Sequence, residues 1–476
     1  MFSALSTLTL WVSIVLAQTS SSVFDFPEYP PPGTPGPYAT LANAAAPLPY
    51  GISDDPALSE AVIHYDTGFF GPQIELVHAY YNYWPTGVGV ASDGTIFTCF
   101  PRGNETFTLA VFNSSTTEAA WPDEEWNTPP AFYNESNPGY SIATDKLLFI
   151  QSVVVDGADR VWALDTGRPR VNGTYLFAAV PGGPKLVGFY LNGTSFVTYT
   201  FPDYVVYADS SLNDVRIDLR GEGYAYITDS SPYRPAIVVI NLSTGESWRH
   251  LDGSLMTSPD PAFVPVYDGG TLLKYRVCLS DAHERGIQFA ADGIALSADG
   301  EYLYVTPLTS RRLYRVPTSY LKQQPSSTNP NAYMLARENV QNVGEFGGHA
   351  DGLETDSTGY IYLGSQEHNA IHRYNITTGL VEPFIRTPVI QWADTMSVVS
   401  LQSGGGYLYF TVNQYVPRYP HSARGTHNPC TGSGLPLTIR TGEIRPPVIY
   451  KICIEMLTCC SALTCERSRT RCSECP

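Results

Sequence analysis

Three aspartates, Asp292, Asp351 and Asp394, each stand at the start of a short apolar run, and His349 precedes the second by two positions. Asn213 and Asp214 hold the same place before "VRID", Trp84 and Thr86 before "GVGV", and Thr395 follows Asp394. A second set follows aromatic or β-branched runs: Arg102, Asp165, Asp229, Thr306, Gln366, and Asn413 with Tyr415. Brought together, these side chains form a ring with three kinds of chemistry open to it. A divalent cation such as Ca2+ takes several oxygen ligands, and Asn213, Asp292 and Asp351 would supply them. A cationic or aromatic small molecule is held by carboxylates and aromatic faces; Trp84, Arg102, Asp229, Gln366, Thr395, Asn413 and Tyr415 are the binding candidates. Proton transfer needs a base that titrates within reach of neutral pH, for which His349 and Asp394 are the candidates, with Asn413, Thr395 and Arg102 as donors to a developing oxyanion. Taken singly, an Asp at a strand end needs no ligand, because it caps turns well.

The elements that would assemble such a ring are repeated. Six stretches share one pattern of short apolar strand, Gly-containing polar turn and aromatic-rich strand: 87–100, 152–167, 214–231, 293–310, 352–366 and 397–414. Asp and Gly suit tight hairpins because they tolerate positive φ. Each copy is followed by more strand-like sequence, such as "AIVVINLSTGESWRHL" and "AIHRYNITTGLVEPFI". Four strands per unit, six times over, predict an all-β fold: a six-bladed β-propeller of four-stranded antiparallel blades spanning 61–454. Ring closure is expected between "IELVHAYY" (74–81) and the last blade, whose final strand is "RPPVIYKICI" (445–454), because an open propeller would expose two sheets. Short helical pieces are expected only near 317–322 and 331–337. The adjacent Arg311 and Arg312 open a third strand and read as surface or inter-blade ion-pair residues.

Composition narrows the partners. The net charge of −17 argues against nucleic acid and anionic membrane surfaces, which need a basic face. The apolar run Leu8–Ala17, with Val15 and Ala17 at signal-peptidase positions, reads as a signal peptide over 1–17. It is too short to span a bilayer, and no later stretch reaches the roughly 20 apolar residues a span requires. Seven N-x-S/T sequons fit secretion and glycosylation: Asn104, Asn113, Asn134, Asn172, Asn192, Asn241 and Asn375. Residues 18–60 form a Pro-rich N-terminal arm. Cys99 and Cys278 are a candidate disulfide, the other seven cysteines lying at or beyond Cys430. The Cys-rich tail 455–476 lacks histidine and a second CxxC pair, so it reads as a disordered or mis-predicted end rather than a zinc cluster. No G-x-S-x-G, H-E-x-x-H, P-loop or dinucleotide fingerprint is present, and "GEFGGHADG" precedes a strand rather than a helix.

"WPTGVGV" with "CFPR", "VWALDTG", "YAYITDSS" followed by "IVVINLSTGESWR", "GIALSADGEYLYVTPLTSRRLYRVPT", "WADTMS" and "YFTVNQ" occur in one order. Together they resemble the major royal jelly/Yellow protein family, from about residue 60 to 416 and more weakly over 446–454. Residues 417–445 and the tail depart from the pattern. The resemblance implies a secreted six-bladed propeller with a ligand-binding central channel. Insect members are associated with melanin-pathway chemistry on dopachrome-like quinones, and salivary members of blood feeders bind biogenic amines. In the amine binders a Thr and an Asn-x-aromatic group line the pocket, which here match Thr395, Asn413 and Tyr415. The leading expectation is a secreted, monomeric glycoprotein without a membrane anchor. It binds a small aromatic or amine-like molecule, with tautomerase or isomerase action on quinone-like pigment or secondary-metabolite intermediates. The alternatives are a metal-dependent lactonase or cyclase of gluconolactonase-like type, for which Ca2+ is the candidate cofactor, and a non-catalytic secreted binding protein.

Overall fold

A computed structural model describes residues 69–454, apart from 82, 103–104, 130–144, 169, 172–174, 177, 180–181, 268–269, 272, 275–284, 287 and 414–447. The expected signal peptide, Pro-rich arm and Cys-rich tail, with Tyr415, Cys278, Asn104, Asn134 and Asn172, lie outside the described residues. The chain divides into two units, Met1–Thr67 and Gly68–Pro476. The second is a six-bladed β-propeller.

Blade 1 runs Gly87–Val90, Ile96–Cys99, Leu109–Phe112 and Glu118–Ala120. Blade 2 runs Ile150–Val155, Arg160–Thr166, Pro184–Tyr190 and Ser195–Thr200. Blade 3 runs Leu212–Asp218, Tyr224–Asp229, Ala236–Asn241 and Ser247–His250. Blade 4 runs Ala291–Leu296, Tyr302–Pro307, Arg312–Pro317 and Gln341–Glu345. Blade 5 runs Ala350–Thr355, Tyr360–Ser365, Ala370–Asn375 and Val381–Arg386. Blade 6 takes Trp392–Ser400, Gly406–Asn413 and Val448–Ile454 from the end of the chain and Glu75–Ala79 from its beginning. The ring closes as the sequence leads one to expect, with Glu75 paired antiparallel to Lys451 and bonded to its ammonium at 3.1 Å.

Alternation along the strands makes each blade apolar on both faces, so its core lies between blades. Six apolar clusters result, one at each blade boundary. Between blades 3 and 4, for example, Tyr226, Val239 and Trp248 pack on Ile294, Val305 and Tyr314.

The turn aspartates behave as caps. Asp156 accepts from the amides of Ala158 and Arg160 and from Trp162 Nε1 at 2.8–3.1 Å, and Asp356 accepts from Thr358, Tyr360 and the Tyr362 hydroxyl at 2.9–3.0 Å. Asp156→Ala should therefore cost about 2 kcal/mol, the worth of a charge-assisted bond to a buried donor, read as a lowered denaturation midpoint with an unchanged m-value.

Antiparallel hairpins put the first-to-second-strand turns on one face, here called the turn face. The blade-to-blade links and the second-to-third-strand links lie on the other, the mouth face. The strands joined by the long links 121–149, 167–183 and 251–290 end and begin again at the mouth face. One long insertion lies elsewhere. Residues 318–340 carry two short helices, Thr318–Leu321 and Ala332–Glu338, and cover the outer strand of blade 3 through Trp248 Nε1 to Leu321 O at 2.9 Å. That protects an edge which would otherwise be open to pairing. Among the described residues no helix is long and apolar enough to cross a membrane.

Candidate functional site in the central channel

The inner strands do not pair evenly with their neighbours. In blade 3, Leu212 pairs with Asp229 and Val215 with Ile227, so Asn213 and Asp214 together oppose Thr228. Blade 4 repeats this with Asp292 and Gly293 against Thr306, blade 5 with Asp351 and Gly352 against Gly364, and blade 6 with Asp394 and Thr395 against Thr411. In blade 2 Gln151 is the extra residue. A bulge bends the strand and re-aims a side chain, and here five bulges sit at one height in the channel. Glycine is required beside two of them: a Cβ on Gly293 would overlap the carbonyl oxygen of Asp351, and one on Gly352 that of Asp394. Without those glycines, blades 4, 5 and 6 could not bring their inner strands so close.

The bulged residues bond to one another around the channel. Gln151 Nε2 donates to Asn213 Oδ1 at 3.0 Å, and Asn213 Nδ2 donates to Asp292 Oδ1. Asp292 shares a side-chain hydrogen bond with Asp351, which also accepts from Trp392 Nε1 at 2.5 Å. Asn413 Nδ2 donates to Asp394 at 2.8 Å, and the Thr395 hydroxyl reaches the carbonyl of Thr86 in blade 1 at 2.6 Å. Below this tier Asp214 accepts from Ser152 Oγ at 2.7 Å and from Arg216 Nη1 at 2.9 Å. Arg216 then crosses from blade 3 to blade 5, where its Nη2 donates to Leu353 O and lies 3.5 Å from Glu354.

Charge is unevenly distributed. Blades 4, 5 and 6 contribute Asp292, Asp351 and Asp394; blades 1, 2 and 3 contribute the neutral Thr86, Gln151 and Asn213. Burial pushes the carboxyl of Asp351 up to about 7. Burial, then the charges of Asp351 and Asp394, holds Asp292 well above the usual carboxylate range, and burial followed by Asp351 does the same to Asp394. Carboxylates this close cannot all ionise, so the half-ring retains protons near neutral pH. Glu354 is also raised by burial, in spite of Arg216. The acidic half-ring has acceptors to spare: the Oδ1 of Asn413 and the Oε1 of Gln366 are buried without a partner.

The residues expected from sequence separate into two groups. Asn213, Asp292, Asp351, Asp394, Thr395 and Asn413 converge on the channel, as does Gln366, whose Nε2 donates to Ala393 O at 3.1 Å. His349 does not enter the ring. It is fully buried between Phe263 and Trp392, its Nε2 is bonded to Val266 O at 3.1 Å, and burial lowers its pKa. Arg102 is spent on the carbonyls of Asn127, Leu147 and Leu148 at 2.6–3.1 Å, anchoring the link into blade 2. Asp229 holds the amides of Ser211 and Ser231 and the Arg249 guanidinium at 2.8–3.1 Å, and Asp165 likewise bonds Lys185 at 2.8 Å. Trp84 is half-buried just ahead of Thr86. Arg311 forms the inter-blade pair, meeting Glu367 of blade 5 at 2.6 and 2.8 Å. Cys99 is buried beneath Thr86 and forms no disulfide among the described residues, its expected partner Cys278 lying outside them.

Among the described residues no group of three or more His, Cys, Asp or Glu side chains is arranged to hold a metal ion. Asn213, Asp292 and Asp351 form one hydrogen-bonded row. Four participants escaped sequence reasoning: Gln151, Arg216, Glu354 and Trp392. Gln151 stands in the register of Asn213 once the inner strands are aligned on their bulges, and Arg216 is two residues from Asp214, on the same strand face.

Comparison with known proteins gives the following. No curated protein matches the chain. Among solved structures, a gluconolactonase from Xanthomonas campestris is 13% identical, with 71% of this chain and 84% of that chain covered and a TM-score of 0.41. A luciferin-regenerating enzyme is 11% identical, covering 80% and 95% at a TM-score of 0.44. A catalytically inactive virginiamycin B lyase from Staphylococcus aureus with quinupristin is 11% identical, covering 80% and 99% at 0.37. The family description "Major royal jelly protein" matches residues 150–419, from the inner strand of blade 2 through the second strand of blade 6, and the chain belongs to that family.

Proposed function

We propose that this protein is a secreted glycoprotein that binds a small aromatic or amine-like molecule at the mouth side of the central channel, with tautomerase or isomerase action on a quinone-like compound. The observation that carries the reading is the acidic half-ring. Three adjacent buried carboxyls and the orphan amide oxygens of Asn413 and Gln366 present acceptors with too few donors, a deficit that a ligand's N–H or O–H groups would fill. Trp392, fixed by its bond to Asp351, adds an aromatic face beside them. The catalytic role falls to Asp394 rather than His349, since Asp394 is part of the ring while His349 stands behind Trp392. Burial holds its carboxyl well above the usual carboxylate range, the direction that makes a carboxylate a stronger base for taking a proton from carbon α to a carbonyl.

Titrating tryptophan fluorescence with phenethylamine tests the binding. We expect a saturable response that weakens at least tenfold in Asp351→Asn; a response absent from the parent, or equal in both proteins, defeats the reading. Dopachrome decay tests the chemistry separately. A rate equal to that in buffer, or one unchanged in Asp394→Asn, removes the catalytic part and leaves a binding protein.

A further inference from the structure

The four described sequons occupy one structural position. Asn113, Asn192, Asn241 and Asn375 each open or precede the turn between the third and fourth strands of a blade, in blades 1, 2, 3 and 5 respectively. Their side-chain oxygens serve those turns. Asn192 Oδ1 accepts from Thr194 N at 3.0 Å, and Asn375 Oδ1 from Thr377 and Thr378 N at 2.9 and 3.0 Å. Asn241 Oδ1 takes the amides of Ser243 and Thr244 at 2.9 and 3.2 Å, and Asn113 Oδ1 takes the Thr117 hydroxyl. An amide oxygen so engaged directs its nitrogen away from the turn, and that nitrogen is the atom a glycan would occupy.

The four nitrogens meet different surroundings. Asn113 and Asn192 are exposed and Asn375 is half-buried. Asn241 is 8% exposed, and its Nδ2 donates to Glu222 Oε2 at 2.8 Å. Glu222 is held in turn by the Tyr224 hydroxyl at 3.0 Å, Tyr199 of blade 2 caps Leu242 O at 2.5 Å, and the sequon's own hydroxyl, Ser243 Oγ, donates back to Asn241 Oδ1 at 2.9 Å. Both halves of this amide are committed to the fold.

We propose that Asn113, Asn192 and Asn375 carry N-glycans on the turn face, opposite the channel mouth, and that Asn241 carries none because its amide nitrogen is buried against Glu222. This rests on the secreted reading above. The modification joins Asn Nδ2 to the anomeric carbon of an oligosaccharide borne on a lipid diphosphate. The carbon–oxygen bond to the diphosphate breaks, the lipid diphosphate departs with the bonding pair, and the amide loses one proton. The remaining N–H and the Oδ1 are untouched, so the turn bonds of Asn113, Asn192 and Asn375 survive, whereas the nitrogen of Asn241 is buried against Glu222 and a sugar joined to it would have to enter the fold. Glycans at Asn113, Asn192 and Asn375 lie on the face away from the mouth.

Peptide mapping of the full chain, secreted from a eukaryotic host and treated with peptide N-glycosidase in heavy-oxygen water, reads occupancy directly. Label is expected at Asn113, Asn192 and Asn375, with none at Asn241. Label at Asn241 equal to the others, or none at Asn113 and Asn192 in protein recovered from the medium, overturns the proposal. Asn241→Gln should lower the melting temperature where Asn192→Gln only removes a glycan's mass; equal melting shifts contradict the structural role. A triple variant, Asn113→Gln, Asn192→Gln and Asn375→Gln, should keep the parent's phenethylamine response. A response lost only in the triple variant contradicts the placement of these three glycans away from the mouth, while a response absent from parent and variant alike defeats the ligand reading and leaves the map standing.

Discussion

Arg216→Met is expected to destabilise the protein by about 3–5 kcal/mol at pH 8, and by clearly less at pH 5. The guanidinium is 7% exposed and serves two carboxylates at once, Asp214 of its own strand and Glu354 two blades away. Methionine fills much of the same volume, so the cost is electrostatic rather than a cavity. With the cation gone, Asp214 and Glu354 remain buried with no counter-charge, and the Glu354 carboxyl, already raised by burial, binds its proton more tightly than it does in the unfolded chain. A group whose folded pKa is raised contributes stability below its unfolded pKa and loses it as pH rises. The penalty must therefore grow between pH 5 and pH 8. Urea denaturation of parent and variant at both values measures it. A cost that is the same at both would mean that Arg216 acts through packing alone.

The sequence makes the blades legible because the hairpin is a local device: Asp and Gly build the turn, alternating aromatics build the second strand, and each copy repeats both. It makes the acidic half-ring legible for the same reason. Asp292, Asp351 and Asp394 occupy one place in three copies, and any fold that aligns the copies brings them together. What a pattern of strand ends cannot supply is direction. Arg102 and Asp229 stand at equivalent heights, yet Arg102 turns back to bind Asn127, Leu147 and Leu148, and Asp229 turns to the amides flanking its own hairpin. Those demands come from the long mouth-face links, whose backbone groups must be satisfied somewhere. The bulges were hidden too, since an extra residue in a strand changes no residue type. They explain why Gly293 and Gly352 follow their aspartates: at those two bulges the neighbouring inner strand comes too close for a Cβ. His349 is legible as a titratable group near the ring but not as one walled off by Trp392, because Trp392 is placed by its bond to Asp351 and not by any repeat.

Asp351→Asn is expected to make the ligand-free protein more stable at pH 8, an unusual sign for a substitution in a buried polar network. Asp351 is raised to about 7 by burial, against roughly 3.9 for an unperturbed aspartate. The folded state thus holds a proton that the unfolded chain has already released, and the parent loses stability as pH rises from about 4 to about 7. An amide carries no such liability. It can still accept from Trp392 Nε1, and its NH2 group can donate to Asp292. Asp292 and Asp394 remain raised by burial, so the variant's stability should still fall over that range but less steeply than the parent's, exceeding it by roughly 2–4 kcal/mol at pH 8 and matching it near pH 4. A cationic ligand acts on the same term by supplying the missing charge, so it should stabilise the parent most where the parent is weakest. The variant would gain little. Thermal denaturation from pH 4 to pH 8, with and without phenethylamine, separates these contributions. A variant whose stability falls with pH as the parent's does would show that the half-ring is not the source of the strain. A variant stabilised by phenethylamine as strongly as the parent would show that the ligand's charge is met elsewhere in the channel.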